Sequence, residues 1–356
     1  MSGNGAAMVI DAAAFAGVTL PPAGPLPARR AFVLRLEAHG AVGVGIAVPA
    51  PGREAAARSQ LADLCRSLPG RRLTVADPRP PELGPDLPIE PDRARVRAAL
   101  DTALLDLAGR IAGLPVHRVL GGRPPKGGLA YNALLPAGST RELLAAAERA
   151  LARGVATLKL KIARRPESLD GELEALARLR SAIGPSASLR VDANGRLDPP
   201  AAAGAAARLA EIGVEYFEQP VAPRLLWDLP AFPVPVAADE SLEESEGAAR
   251  LRNPGPVRVA VLKPAHLGGP RACLALARVA RAAGIGVVVT HAFDGPIGFA
   301  AAAETALALP GPTPACGLDP EALGERFDPP QIRGPRVVPH DRPGLGLGEE
   351  IRCRMG

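Results

Sequence analysis

Between residues 30 and 48 apolar and polar side chains alternate in two short runs, RAFVLRLEAHG and AVGVGIAV, separated at His39-Gly40. Alternation of period two, broken by a turn pair, predicts a β-hairpin. Residues 91 to 112, PDRARVRAALDTALLDLAGRIA, instead repeat apolar positions every three or four residues. That spacing predicts a helix entered through Pro91-Asp92. The Pro-rich RPPELGPDLP between them reads as an exposed loop, so the first third is an α+β module.

From about residue 128 the texture changes to short apolar runs alternating with Ala-rich helical segments: GLAYNALLP, VATLKLKIA, ASLRVDAN, VEYFEQP, VPVAADES, VRVAVLKP, IGVVVTHA and TPACGLD. Eight such runs, most separated by a helix-length segment, predict an α/β fold with a (β/α)7-8 TIM-like barrel. The runner-up, a doubly wound sheet, needs a phosphate-binding glycine turn after an early strand. Gly43-Val44-Gly45 and the Gly344 to Gly348 segment are too incomplete and wrongly placed to be one. The tail from about residue 335, PRVVPHDRPGLGLG, reads as a short strand and a Gly-rich loop returning to the N-terminal module.

Composition narrows the class. In 356 residues, 47% hydrophobic and 22% charged positions describe a globular chain, and aromatics at 3% leave packing to aliphatic side chains. A formal charge of +5 and a pI near 9.4 raise the question of a polyanionic partner. The arginines are scattered, however, and the basic stripe and aromatic platforms of nucleic-acid binders are missing. Cys65, Cys273, Cys316 and Cys353 are far apart and form no CxxC pair, which points to a reducing, cytoplasmic compartment. No basic segment precedes the first apolar stretch and no apolar run approaches about 18 residues, so neither secretion nor a membrane span is expected.

Charge type then changes the picture. Of 42 basic residues only four are lysine: Lys126, Lys159, Lys161 and Lys263. Lys126 lies in the loop PPKGG, while the other three fall at ends of predicted barrel strands. Asp192, Glu218 and Asp239 end the third, fourth and fifth strands, and a parallel barrel opens all such ends on one face. Three carboxylates brought together repel one another and resist burial unless a cation is shared between them. An all-oxygen set favours Mg²⁺, with Mn²⁺ the alternative. Lysines beside such a cation suit removal of a proton from the carbon next to a carboxylate, because desolvation and a nearby cation can free the amine of its proton. Arginine is charged at every accessible pH and cannot serve.

These residues resemble the enolase superfamily in its muconate-lactonizing-enzyme subgroup, through LKLK, VDAN, FEQP, ADES and LKP, and through ALDTALLDLAGRIAGLPVHRVLGG near the start of the barrel. The use of a Lys or His base with Mg²⁺ is a known pattern of that superfamily. The resemblance implies Asp192, Glu218 and Asp239 as metal ligands, with Lys161 as the acid/base group on one face of the substrate and Lys263 on the opposite face. Lys159 would depress the pKa of Lys161. Asn194, Gln219 and Glu240 neighbour the ligands, and His291, Asp294 and Gly295 after the seventh strand are candidates for the substrate wall, His291 even for a base. The short Glu218 to Asp239 spacing and ACGLD look most like an o-succinylbenzoate synthase of menaquinone biosynthesis, a lyase. An N-acylamino acid racemase or dipeptide epimerase, a muconate-type cycloisomerase and a non-catalytic barrel binding a small acid are the alternatives.

The same resemblance implies a capping domain over residues 1–122, a barrel over 123–326 and a tail over 327–356 that completes the cap. Ile46 stands where the family commonly has Glu, which brings the cap's contacts into question. The N-terminal loop GVTLPPAGPLPARR could close over the pocket, with Arg29 and Arg30 read as ordinary surface residues in preference to one of them reaching a substrate carboxylate. The expected partner is a small-molecule carboxylate, with no nucleic acid or membrane, and a homo-oligomer is left open.

Overall fold

The computed structural model describes residues 7–75, 91–164, 168–323, 329 and 331–349. The predicted loop at 79–88, the expected boundary at 326/327 and Cys353 lie outside these residues.

In the N-terminal part, β1 (Ala7–Val9) is followed by β2 (Ala12–Leu20), β3 (Arg29–Ala38) and β4 (Ala41–Ala47). β2, β3 and β4 form an antiparallel sheet, and His39 and Gly40 turn the predicted hairpin with φ of 52° and 74°. Both ends of the predicted N-terminal loop are strand: Arg29 and Arg30 open β3, and Gly17–Leu20 complete β2, because Val18 and Leu20 find apolar neighbours in Ala31 and Val33. The remaining turn is closed by a backbone pair between Ala23 and Leu26. After α1 (Glu54–Ser67) and β5 (Arg72–Thr74), which pairs with β1, comes α2 (Pro91–Ala112) over the predicted span. The helix sits hard against β4 because two glycines let it: a Cβ on Gly45 would lie 1.9 Å from the Ala99 carbonyl oxygen, and one on Gly43 2.2 Å from that of Ala103.

Beyond α3 (Val116–Val119) and β6 (Leu129–Ala130), the barrel elements follow in turn: β7 (Asn132–Leu134), α4 (Thr140–Ala152), β8 (Thr157–Lys161), α5 (Leu169–Ile183), β9 (Ser188–Asp192), α6 (Pro199–Ile212) and β10 (Val214–Glu218). Then come β11 (Val236–Ala238), α7 (Gly247–Arg250), β12 (Val257–Leu262), α8 (Pro270–Ala282), β13 (Gly286–Val289) and α9 (Gly295–Ala308). β7 to β13 form one parallel sheet in chain order. The eighth predicted run contributes only parallel bridges, Cys316 to Tyr131 and Gly317 to Thr290, yet these join the two edges and close the barrel. The link from β10 to β11 carries a 3₁₀ turn, Pro223–Asp228, in place of an α-helix. Helix ends follow local chemistry: Ser139 and Glu142 make a capping box on α4, and Asp198 caps α6, which ends at left-handed Gly213.

Strand parity places the chemistry. Tyr216, Ala237, Val261 and Val288 form a cluster of their own, apart from the alternate residues that pack under the helices. Stepping two residues along from them reaches Glu218, Asp239, Lys263 and Thr290 at the C-terminal rim.

The tail hairpin, β14 (Ile332–Arg333) and β15 (Arg336–Val337), pairs with β6, the first half of the run predicted as one barrel strand. Leu345 and Leu347 then pack with Leu20, Val33, Ile46, Leu105 and Ile297. Ile46 is therefore an apolar contact between cap and α9, and no charged partner is required there. Buried Asp106 accepts from Val44 N–H at 3.0 Å, Leu345 N–H at 2.8 Å and Arg110 Nε at 3.0 Å, tying α2 to β4 and the tail. Asp101 accepts from Arg271 at the start of α8, N–H at 3.0 Å and Nη1 at 2.6 Å. Among the described residues no helix is long and apolar enough to cross a membrane.

Candidate active site

Register alone lines up the first charges: Lys161 is the neighbour of Asp192, and Asp192 of Glu218, across β8, β9 and β10. Asp239 follows β11, and its oxygens, those of Asp192 and those of Glu218 can be chosen within 4.8 Å of one another. All three carboxylates are buried, Glu218 completely, and Glu218 Oε2 has no hydrogen-bond partner. Burial pushes Glu218 up to about 8 although Lys159 works against it, and the two neighbouring aspartates add to the rise. A converging set of hard oxygens with an unserved lone pair fits a hard divalent cation, and no Cys or His is among the donors.

Lys159 and Lys161 point the same way because they are two apart on a strand, Lys161 nearer the rim. Lys159 Nζ donates to Glu218 Oε1 at 2.5 Å and lies 3.3 Å from Asp192 Oδ2. Burial draws the Lys159 ammonium down, but Asp192 and Glu218 outweigh it and leave the group well above its ordinary range. Lys263 Nζ donates to Asp239 Oδ2 at 2.5 Å, and Asp239 and Glu240 likewise outweigh burial and raise it. At Lys159 and Lys263 the neighbouring carboxylates thus act against loss of the proton. Lys161 Nζ donates to Asn194 Oδ1 at 2.6 Å, with Asp192 Oδ2 at 3.8 Å. β8 and β12 are four strands apart in the closed barrel, so Lys161 and Lys263 face each other across it.

The neighbouring polar residues divide by what they touch. Gln219 is fully buried with φ of 38°; its Oε1 accepts from the N–H groups of Asp239 and Ser241, both at 3.1 Å, and its Nε2 donates to Ser241 Oγ at 2.7 Å. It braces the Asp239 backbone and does not reach the cavity. Asn194 Nδ2 bridges Asp192 Oδ2 at 3.3 Å and Glu240 Oε1 at 3.0 Å while its oxygen holds Lys161.

Two cavities meet at these residues. The inner one, about 60 Å³, is bounded by Lys159, Lys161, Asp192, Asp239, Lys263 and Asp319 among others. The outer one, about 550 Å³, lies under the cap and carries Arg29, Arg95, Arg164, Arg196, Glu240 and His266 on its wall. Asp319, Arg95 and His266 were not singled out by the sequence reading. Asp319 has the signal of an acid at the end of the eighth run; Arg95, on the first turns of α2, has none. Arg29 is no ordinary surface residue: half-buried, it donates to the Phe293 carbonyl across the domain boundary. Arg30 is exposed.

After β13, His291 lines both cavities. Burial lowers its pKa to about 4, and its Nδ1 accepts from Phe293 N–H at 3.1 Å, so the ring is neutral with its proton on Nε2. Asp294 and Gly295 are placed differently from the expectation. The Asp294 carboxylate is buried, accepts from Ala292 N–H at 3.1 Å and folds over Gly298, where a Cβ would lie 2.0 Å from its carboxyl carbon. The lining of the two cavities at this strand end comes from Thr290, His291, Ala292 and Phe293 instead, because α9 begins at Gly295 and carries the next residues away.

Known proteins are similar to this chain. Residues 27–121 match the mandelate racemase / muconate lactonizing enzyme N-terminal domain, and residues 142–349 match the enolase C-terminal domain-like family. The chain belongs to the enolase superfamily. Among superfamily members, muconate cycloisomerase 1 of Pseudomonas putida is 36% identical over 262 residues, covering 70% of this chain and 68% of that enzyme. The o-succinylbenzoate synthase of Thermobifida fusca (strain YX) is 36% identical over 197 residues, 55% of this chain and 60% of that enzyme. The crystal structure of muconate cycloisomerase from Pseudomonas fluorescens superposes with a TM-score of 0.85 at 29% identity, covering 98% of this chain and 99% of that one. Equal identity to the first two enzymes does not favour the synthase, so the superfamily is identified and the individual reaction is not.

Proposed function

We propose that this superfamily member removes the α-proton of a carboxylate substrate and that its reaction is the syn-dehydration of 2-succinyl-6-hydroxy-2,4-cyclohexadiene-1-carboxylate to o-succinylbenzoate. The observation that carries the reading is the opposition of Lys161 and Lys263 across a cavity lined by Asp192 and Asp239, with Glu218 grouped beside them. Held by those three carboxylates, Mg²⁺ or Mn²⁺ would supply the positive charge that an enolate requires and would weaken the hold of the carboxylates on the neighbouring ammonium groups.

Lys161 is the proton carrier, since its side-chain contacts are one Asn194 oxygen and a distant Asp192, and it reaches both cavities. Its amine takes the α-proton, and the resulting ammonium delivers that proton to the departing hydroxyl on the same face. The C–H and C–O bonds break, the proton and the hydroxyl leave together as water, and the double bond formed between the two ring carbons makes the ring aromatic. Lys263 stays an ammonium on the opposite face and stabilises the enolate. Lys159, locked to Glu218 and Asp192, keeps the carboxylates in place. The arginines of the outer pocket suit the second carboxylate, on the succinyl arm.

A second reading, muconate-type cycloisomerisation, is supported by the full-length likeness to a muconate cycloisomerase structure. Three substrates separate the readings in the Mg²⁺-loaded enzyme: the cyclohexadiene, followed by loss of its absorbance; cis,cis-muconate; and N-succinyl amino acids, followed by deuterium exchange at the α-carbon. Lactonisation or exchange without dehydration sinks the proposed reaction. Binding without any turnover would leave the non-catalytic small-acid barrel.

A further inference from the structure

Phe293 is the least expected residue in the turn between β13 and α9. It has φ of 55°, a conformation bulky side chains rarely adopt, and every part of it is engaged. Its N–H donates to His291 Nδ1, its carbonyl accepts from Arg29 of the cap, and its ring meets the His291 ring edge-on, centroids 5.0 Å apart at 76°. The other side of the ring faces the cap turn so closely that a methyl group at Gly24 would come within 2.6 Å of it. Four residues border both cavities, Lys161, Lys263, His291 and Phe293, and only Phe293 among them is apolar and anchored from the cap. Arg29 Nε is buried without a partner among the described residues, while Nη2 of the same guanidinium donates to the Phe293 carbonyl.

We propose that Phe293 is a specificity-determining residue whose ring is the partition between the inner and outer cavities, and that Arg29 is the positioning residue that holds it there. The inference rests on reading the site as one that binds carboxylates. With the ring fixed between cap and barrel, only a narrow portion of a ligand can extend from the lysines toward the outer pocket, and a bulkier ring system is turned away.

The test uses the full-length, Mg²⁺-loaded chain and two probes, benzoate and 1-naphthoate, titrated calorimetrically. Wild type is expected to favour benzoate. Phe293→Ala should shift the ratio of affinities toward 1-naphthoate by about tenfold or more, since even one methylene of misfit is worth about that much. Arg29→Gln should shift it the same way by less, and Phe293→Leu should return it toward wild type. Amide hydrogen exchange of the peptide 21–30 should quicken in Arg29→Gln and Phe293→Ala while that of 31–47 does not. An unchanged affinity ratio in Phe293→Ala overturns the partition, and unchanged exchange in Arg29→Gln overturns the positioning role. If wild type binds neither probe, the carboxylate-site reading fails, and the exchange experiment still judges the Arg29 to Phe293 contact.

Discussion

Glu304 offers the sharpest quantitative test. Its side chain is fully buried on α9 and accepts four hydrogen bonds from two other segments. Oε2 takes the His117 N–H at 2.7 Å and His117 Nδ1 at 2.9 Å, while Oε1 takes His340 Nε2 at 2.7 Å and Gln331 Nε2 at 3.1 Å. Burial alone would raise this carboxyl, but the hydrogen bonds from His117 and His340 prevail and hold it at about 2. A carboxylate at about 2, against an ordinary value near 4.5, favours the folded state by about 3 kcal/mol when ionised. The sign follows from the depression: this stability is complete above about pH 4.5 and is lost as pH falls toward 2. Glu304→Gln should therefore cost about 3 kcal/mol at pH 6. For 356 residues unfolding together that is a fall in Tm of about 4 °C. Urea unfolding of both proteins at pH 6 and pH 3 checks it, because the gap should shrink by about 2 kcal/mol at the lower pH while carboxylates common to both cancel. A gap under about 1 kcal/mol at pH 6, or one that does not change with pH, would refute the assignment of this cluster as the electrostatic tie between α9, α3 and the tail.

Three further outcomes are expected. Lys161→Arg keeps the charge and loses the removable proton, so turnover should fall at least about a thousandfold while calorimetric Mg²⁺ affinity stays within a few-fold; retained turnover would exclude Lys161 as the proton carrier. Gln219→Leu removes the acceptor that holds the Asp239 backbone without touching a carboxylate, and Mg²⁺ affinity should drop by about 10- to 100-fold, read by calorimetry. Gly45→Ala drives a Cβ into the Ala99 carbonyl, so α2 must withdraw from β4 at a cost of about 3 kcal/mol in urea unfolding; a cost under about 0.5 kcal/mol would show that the close approach is not required.

The cap hairpin, α2 and the parallel barrel were legible because each depends on a periodicity carried within one segment. The eighth strand was legible as an apolar run, but it is realised only as two bridges, since pairing on both sides depends on β7 and β13 arriving beside it. The run GLAYNALLP divided for the same reason: the tail supplies a partner for Leu129–Ala130 from some 200 residues away, and no local pattern announces it.

Within the site, the residue types and their order along the chain determined most of the chemistry. Lysine in an arginine-rich chain, and acids at the ends of successive predicted strands, are what lead to the proposal of a proton-transfer site over a cation-binding floor. Parity on each strand then sends Lys159 with Lys161, and Asp192 in register with Glu218. What only tertiary structure decided is where the cap's residues go. Arg29 was legible as one surface arginine among many, Phe293 as one apolar residue among many, and Asp294 as a pocket acid. Their actual roles are set by the docking of the cap turn onto the barrel rim and by the point at which α9 begins. Contacts across a domain boundary join segments that share no periodicity, so they have no signature in either segment alone.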